Sequence, residues 1–121
     1  MTYTPEQLDK MRNWVAEHAC GLVRFHYTSV VEMYKQGTDG KPLMFVNDFK
    51  PDEDANQMLM VLDTFHDVSI DKTIDMWAVT IWNHPEIGDE WKSGYHESLG
   101  LAALVAMCRA SGMPLTGEDD D

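Results

Sequence analysis

Apolar residues recur at helical spacing in three segments of this chain. Leu8, Met11, Val15 and Ala19 fall on one face, with Asp9, Lys10, Asn13 and Glu17 elsewhere, which predicts a helix over residues 5–19. Thr4 is placed to cap it, Pro5 takes the favoured first helical position and Gln7 completes a Thr-x-x-Gln capping box. Gly21 is placed to end it. A second stripe, Ala55, Met58, Leu59, Leu62 and Phe65, predicts a helix over 52–66, with Asp48, Asp52, Glu53 and Asp54 gathered where negative charge meets the positive end of the helix dipole. The third segment, Leu99 to Cys108, carries no charge until Arg109 and predicts a helix over 97–110, stopped by Ser111-Gly112 and Pro114. A helix apolar on nearly every side must be covered on nearly every side, by a sheet, by another helix or by a second subunit.

Strand patterning is shorter. Residues 73–82 are rich in β-branched and aromatic side chains, and both faces hold apolar residues (Ile74, Met76 and Ala78 on one, Trp77, Val79 and Ile81 on the other), which predicts a strand central to its sheet or next to centre. Val30–Tyr34 and Leu43–Val46 flank the turn-rich Gln36–Pro42 and read as a hairpin; Leu22–Tyr27 admits a strand or an extension of the first helix and reads best as irregular. Residues 83–96, with Pro85, Gly88 and Gly94, read as a loop. The element order predicts an α+β fold, three helices packed on a small antiparallel sheet, and one helical layer on each face would make it a three-layer α/β/α sandwich. Residues 1–117 form a single domain in this reading and 118–121 an acidic tail.

The 121-residue chain is 44% hydrophobic and 25% charged, enough for one domain with a real core and unlike a disordered chain. It contains no apolar run long enough to span a bilayer, and the segment from Met1 lacks the basic and apolar regions of a signal peptide, so the expected location is cytoplasmic. Cys20 and Cys108 then read as free thiols in a reducing compartment. Charge changes the picture more: 21 acids against 9 bases leave a net charge of −12, which repels nucleic-acid phosphates and steers the protein toward basic partners. Solubility alone is the plainer account of that charge.

Chemistry finds little purchase. The histidines at 18, 26, 66, 84 and 96 have no zinc-site spacing, and His18 and Cys20 sit two apart on a helix end and face apart. No calcium loop, nucleophile elbow, Walker motif or Gly-x-Gly-x-x-Gly is present, so neither a metal, a cofactor nor an enzymatic activity is expected. The densest polar and aromatic cluster is His84, Glu86, Asp89, Glu90, Trp91, Tyr95 and His96. It suits a protein interface or a stacked base, or else Trp82 and Trp91 close the edge of the core.

The layout resembles the phage ABA sandwich domain, a family of small proteins of bacteriophages and prophages. The likeness lies in Trp14-Val15 with Cys20-Gly21, in Asp54-Ala55 with Met58 to Leu62, and in Trp77-Ala-Val-Thr-Ile-Trp82 followed by Ser98-Leu-Gly-Leu-Ala-Ala-Leu-Val-Ala-Met-Cys108, so that roughly residues 50–112 carry it. The resemblance brings no catalytic motif. It implies a phage or prophage accessory protein, a class that includes small acidic inhibitors of host defence.

The expected function is accordingly an acidic, non-enzymatic inhibitor of anti-CRISPR or anti-restriction type, acting in the bacterial cytoplasm on a basic host protein that itself holds nucleic acid. The rivals are a sponge that sequesters a nucleotide signal and a core-packed protein of unrelated cytosolic role. The expected contact surface joins Asp52, Glu53 and Asp54 to Glu86, Asp89, Glu90, Trp91 and Tyr95, with the aromatics as anchors and the acids as charge. A homodimer is expected from the all-round apolar third helix and a surplus of large apolar residues, the alternative being complete coverage within one chain.

Overall fold

The computed structural model of the chain describes residues 3–65, 67–82 and 91–113. Helix α1 spans Pro5–His18 and begins with the predicted capping box: Gln7 N donates to Thr4 Oγ1 at 3.2 Å, and Thr4 N donates to Gln7 Oε1 at 2.8 Å. Gly21, at φ 68°, then turns the chain into strand β1, Leu22–His26. Irregular structure was expected here. The charged Arg24 interrupts the apolar pattern in sequence, but in space it reaches diagonally across to Glu32 on strand β2, Glu32–Gln36, with two hydrogen bonds of 2.7 and 2.8 Å. Strand β3, Pro42–Phe45, pairs antiparallel with β2 as the hairpin pattern predicted.

Helix α2 covers Ala55–Leu62, well short of the expected 52–66. Asp54 precedes the helix as its cap, accepting from Asn56 N at 2.9 Å and Gln57 N at 3.2 Å, so the acids before it belong to a turn. Met58, Val61 and Leu62 face the core, and Leu59, assigned to the buried stripe, is exposed. Beyond its end the chain enters strand β4, Asp67–Lys72, which the sequence pattern did not reveal; His66, the expected helix end, lies outside the described residues.

Strand β5, Trp77–Trp82, is central in the antiparallel order β4-β5-β6, as expected, although residues 73–76 form the turn from β4 instead of extending the strand. Strand β6, Trp91–His96, was expected to be loop. Helix α3, Leu99–Ala110, packs on β5 and β6 and touches α1 and α2 on its other side. Every residue from Ala102 to Cys108 is buried within this one chain, so α3 is covered without a second subunit, whereas large apolar side chains such as Val30 and Ile74 stay exposed. The fold class is α+β, and the described residues form two small three-stranded antiparallel sheets in place of one.

Gly94 explains why β6 hides from sequence reading. A Cβ there would lie 2.2 Å from the Ala102 carbonyl oxygen and 2.7 Å from the Ala106 nitrogen, so the glycine is the seat on which α3 rests.

Candidate protein-docking face

Antiparallel register sorts the side chains of the second sheet onto two faces. Cross-strand partners share a face, and alternate residues along each strand return to it. One face carries Val79, Ile81, Gly94 and His96, all buried beneath α3. The other carries three rows running from β4 across β5 to β6: Asp67 with Trp82 and Trp91, Ser69 with Thr80 and Ser93, and Asp71 with Ala78 and Tyr95.

On this outward face Trp91 and Tyr95 are each 54% exposed. Trp82 and Trp91 stack with ring centroids 5.8 Å apart and an interplanar angle of 24°, forming a two-ring plate at one end. Thr80 and Ser93 hydroxyls meet at 3.2 Å in the middle row. The Ser69 hydroxyl donates to Asp71 Oδ2 at 3.1 Å on the β4 side. The register puts both β4 aspartates outward and the two lysines of these strands, Lys72 and Lys92, on the α3 face. Arg109 of α3 donates to the Ser93 carbonyl oxygen of β6. Aromatic area, hydroxyls and acids therefore gather on a surface that draws no lysine or arginine from its own strands.

Comparison with protein-family models, with curated proteins and with solved structures finds no match to this chain.

Of the residues singled out by sequence, Trp91 and Tyr95 share this face, on a strand and not on the expected loop. Glu86, Asp89, Glu90 and His84 lie outside the described residues. His96 turns to the core side, where its Nδ1 accepts from Ser98 N at 2.9 Å and helps set the start of α3. Asp52, Glu53 and Asp54 are elsewhere and differently occupied. The Asp52 carboxylate is 3% exposed and takes both Nε and Nη2 of Arg12, at 2.8 and 2.7 Å; Glu53 accepts from the same Nη2 at 2.7 Å; Asp54 is the α2 cap. The backbone of Asp52 presses on Gly100, where a Cβ would lie 1.8 Å from its carbonyl oxygen. Gly100 and the Ala102–Ala106 pair that meets β6 lie on opposite sides of α3. The acidic turn and the aromatic face are thus on opposite sides of the central helix and do not make one surface.

Two residues that sequence reasoning passed over, Asp67 and Asp71, belong to the face. The alternation Asp67-Val-Ser-Ile-Asp-Lys72 was the available signal, since period-two spacing puts both aspartates and Ser69 on one side.

A concavity of about 340 Å³ is lined by Arg12, Arg24, Tyr34 and Lys50 among others, and gathers three of the nine bases. It does not make a phosphate cradle. Arg12 is forked onto Asp52 and touches Glu53, Arg24 is forked onto Glu32, and Asp9 joins the lining, so both guanidinium groups are already matched by carboxylates. Hydrogen bonding to these carboxylates holds both guanidinium groups above the usual arginine range. Burial pushes the Cys108 and Cys20 thiols up, away from the nucleophilic thiolate. Among the described residues no three histidine, cysteine or acidic side chains come together in a way that would hold a metal ion, and no helix is long and apolar enough to cross a membrane.

Proposed function

We propose that this chain is a non-enzymatic binding protein that docks a basic protein on the outward face of its second sheet. The observation that carries the reading is the pairing of exposed Trp91 and Tyr95 with Asp67 and Asp71 on one face. Exposed tryptophan and tyrosine on a rigid sheet supply anchors at low entropic cost, and acids at the margin supply charge matching. A net charge of −12 draws a basic partner from a distance and opposes a second copy of the same chain. In the setting that the phage resemblance implies, the partner is a nucleic-acid-binding component of a bacterial defence system. Occupying its basic channel in the cytoplasm of the host is then the inhibitory act. A nucleotide sponge finds less support, because the aromatic face draws no lysine or arginine from its own strands and both arginines of the basic concavity are already forked onto carboxylates.

Affinity purification from a bacterial host, with the wild-type chain and the Trp91→Ala variant as parallel baits, tests the proposal. A basic protein retained at one-to-one stoichiometry by the wild type and lost with Trp91→Ala is the expected result. A co-purifying nucleotide, or a protein retained equally by both baits, overturns it.

A further inference from the structure

We infer that the outward face recognises two arginine side chains of its partner, held about 13 Å apart, the spacing of residues i and i+4 in an extended segment. The inference rests on the docking role proposed above and adds the geometry of what is read.

The three rows are not equivalent. The two outer rows each join an aspartate on β4 to an aromatic ring on β6, Asp67 to Trp91 and Asp71 to Tyr95. The middle row, Ser69, Thr80 and Ser93, holds hydroxyls and no charge. Asp67 and Asp71 are four strand residues apart, which sets the outer rows about 13 Å from each other. Within a row, β4 and β6 are two strand spacings apart, about 10 Å. That width admits a planar cation between a carboxylate and a ring, with one edge free to bond the carboxylate and one face free to lie against the aromatic.

The residue on β5 then decides how each cation sits. In the Asp71 row it is Ala78, whose single methyl leaves a slot between the carboxylate and the Tyr95 ring. In the Asp67 row it is Trp82, stacked on Trp91, so the slot is filled and a guanidinium lies flat on the two-ring plate with its edge toward Asp67. Arginine suits both positions better than lysine. Its planar fork bonds a carboxylate through two donors while its weakly hydrated face stacks on a ring, whereas a compact, strongly hydrated ammonium has neither the fork nor a flat face to stack. The middle hydroxyls face a short polar or small side chain at i+2, which alternation places on the same side of the partner strand as the two arginines.

Peptide titration followed by backbone and indole NMR signals tests this on the intact chain. The probes are two capped peptides of one composition and charge, Arg-Thr-Ser-Thr-Arg and Thr-Arg-Arg-Ser-Thr, and the lysine form of the first. The expected result is that the peptide with arginines at its ends binds at least about fivefold tighter than the adjacent-arginine peptide and than the lysine form, with shifts at Trp91, Tyr95, Asp67 and Asp71. Asp67→Asn and Asp71→Asn, both at exposed strand positions, each abolish that preference. Equal binding of all three peptides at this face, lost with Trp91→Ala, overturns the spacing while leaving the docking role standing. Binding that leaves Trp91 and Tyr95 unmoved overturns both.

Discussion

Arg12 and Asp52, forty residues apart in sequence, meet through two near-parallel hydrogen bonds of 2.8 and 2.7 Å that tie α1 to the turn before α2. Both side chains are largely withdrawn from water, at 12% and 3% exposure, whereas Glu53 on the same guanidinium is 60% exposed. Removing one partner of a buried pair leaves the other charge uncompensated, a cost of about 3–5 kcal/mol when nothing else remains. Glu53 stays within reach of Arg12, so Asp52→Ala is expected to cost about 2–3 kcal/mol. Glu53→Ala is expected to cost less than about 1 kcal/mol. Urea denaturation of both variants checks the ordering, and equal losses would show that the burial of Asp52 does not govern the pair.

A second prediction concerns a sign. Alanine for glycine inside a helix ordinarily stabilises by up to about 1 kcal/mol. At Gly100 the new methyl carbon would lie 1.8 Å from the Asp52 carbonyl oxygen, and at Gly94 2.2 Å from that of Ala102, with backbone on both sides. Relief requires moving the Asp52 turn off α3, or α3 off the second sheet. Overpacking of this kind costs roughly 1–3 kcal/mol. Gly100→Ala and Gly94→Ala are therefore expected to lower the thermal midpoint, while Gly112→Ala, with no atom within 4 Å, answers only to its φ of 94°. A raised midpoint for Gly100→Ala contradicts the close approach.

The helices were legible because their signals are local. Thr4, Pro5 and Gln7 set one start, and the charge-free run to Cys108 could only be a buried helix. The centrality of β5 was also legible, though for a reason only half met: Val79 and Ile81 are buried, while the opposite face is open at Trp91 and Tyr95. What escaped was non-local. β4 and β6 are polar strands whose hydrogen-bonding partner is β5, and neither has an apolar run to announce it. β1 was hidden by Arg24, whose counter-charge Glu32 arrives only with the hairpin. The acids near Asp52 looked like surface because a carboxylate in sequence carries no sign of the arginine that will bury it. Tertiary pairing decided each of these cases, and the composition of the segment itself did not.

Alkaline pH provides a test of the first sheet. The Tyr34 hydroxyl donates to Asn13 Oδ1 at 2.6 Å, and burial raises its pKa from 10.0 to about 12. A phenol whose pKa is higher folded than unfolded adds stability that is complete below the unfolded value and disappears as pH rises through the folded one. The contribution is expected to be constant up to about pH 10 and to vanish between about pH 10 and pH 12. Tyr34→Phe loses the hydrogen bond, about 1 kcal/mol at neutral pH, and loses this alkaline limb with it. Denaturation at several pH values checks the difference between the two proteins; a difference that stays flat from neutral to strongly alkaline pH would place the tyrosine hydroxyl in open solvent.

The last prediction separates a docking anchor from a core residue. If Trp91 closed the core, its truncation would cost about 3–5 kcal/mol and unfold so small a domain. It stands instead at the end of a strand, 54% exposed, and its ring stacks on Trp82. Such a stack is worth about 0.5–1.5 kcal/mol beyond the area it covers. Trp91→Ala, which also uncovers the half of the ring that is buried, is therefore expected to remain folded, with a stability loss of about 2 kcal/mol and an unchanged far-ultraviolet circular dichroism spectrum. Val79→Ala, on the same sheet but fully buried under α3, serves as the reference and is expected to lose a comparable amount although it removes far fewer atoms. The comparison turns on which face of one sheet each side chain occupies. Trp91→Ala failing to fold, or losing more than twice what Val79→Ala loses, would return the tryptophan to the core and withdraw it from the docking face.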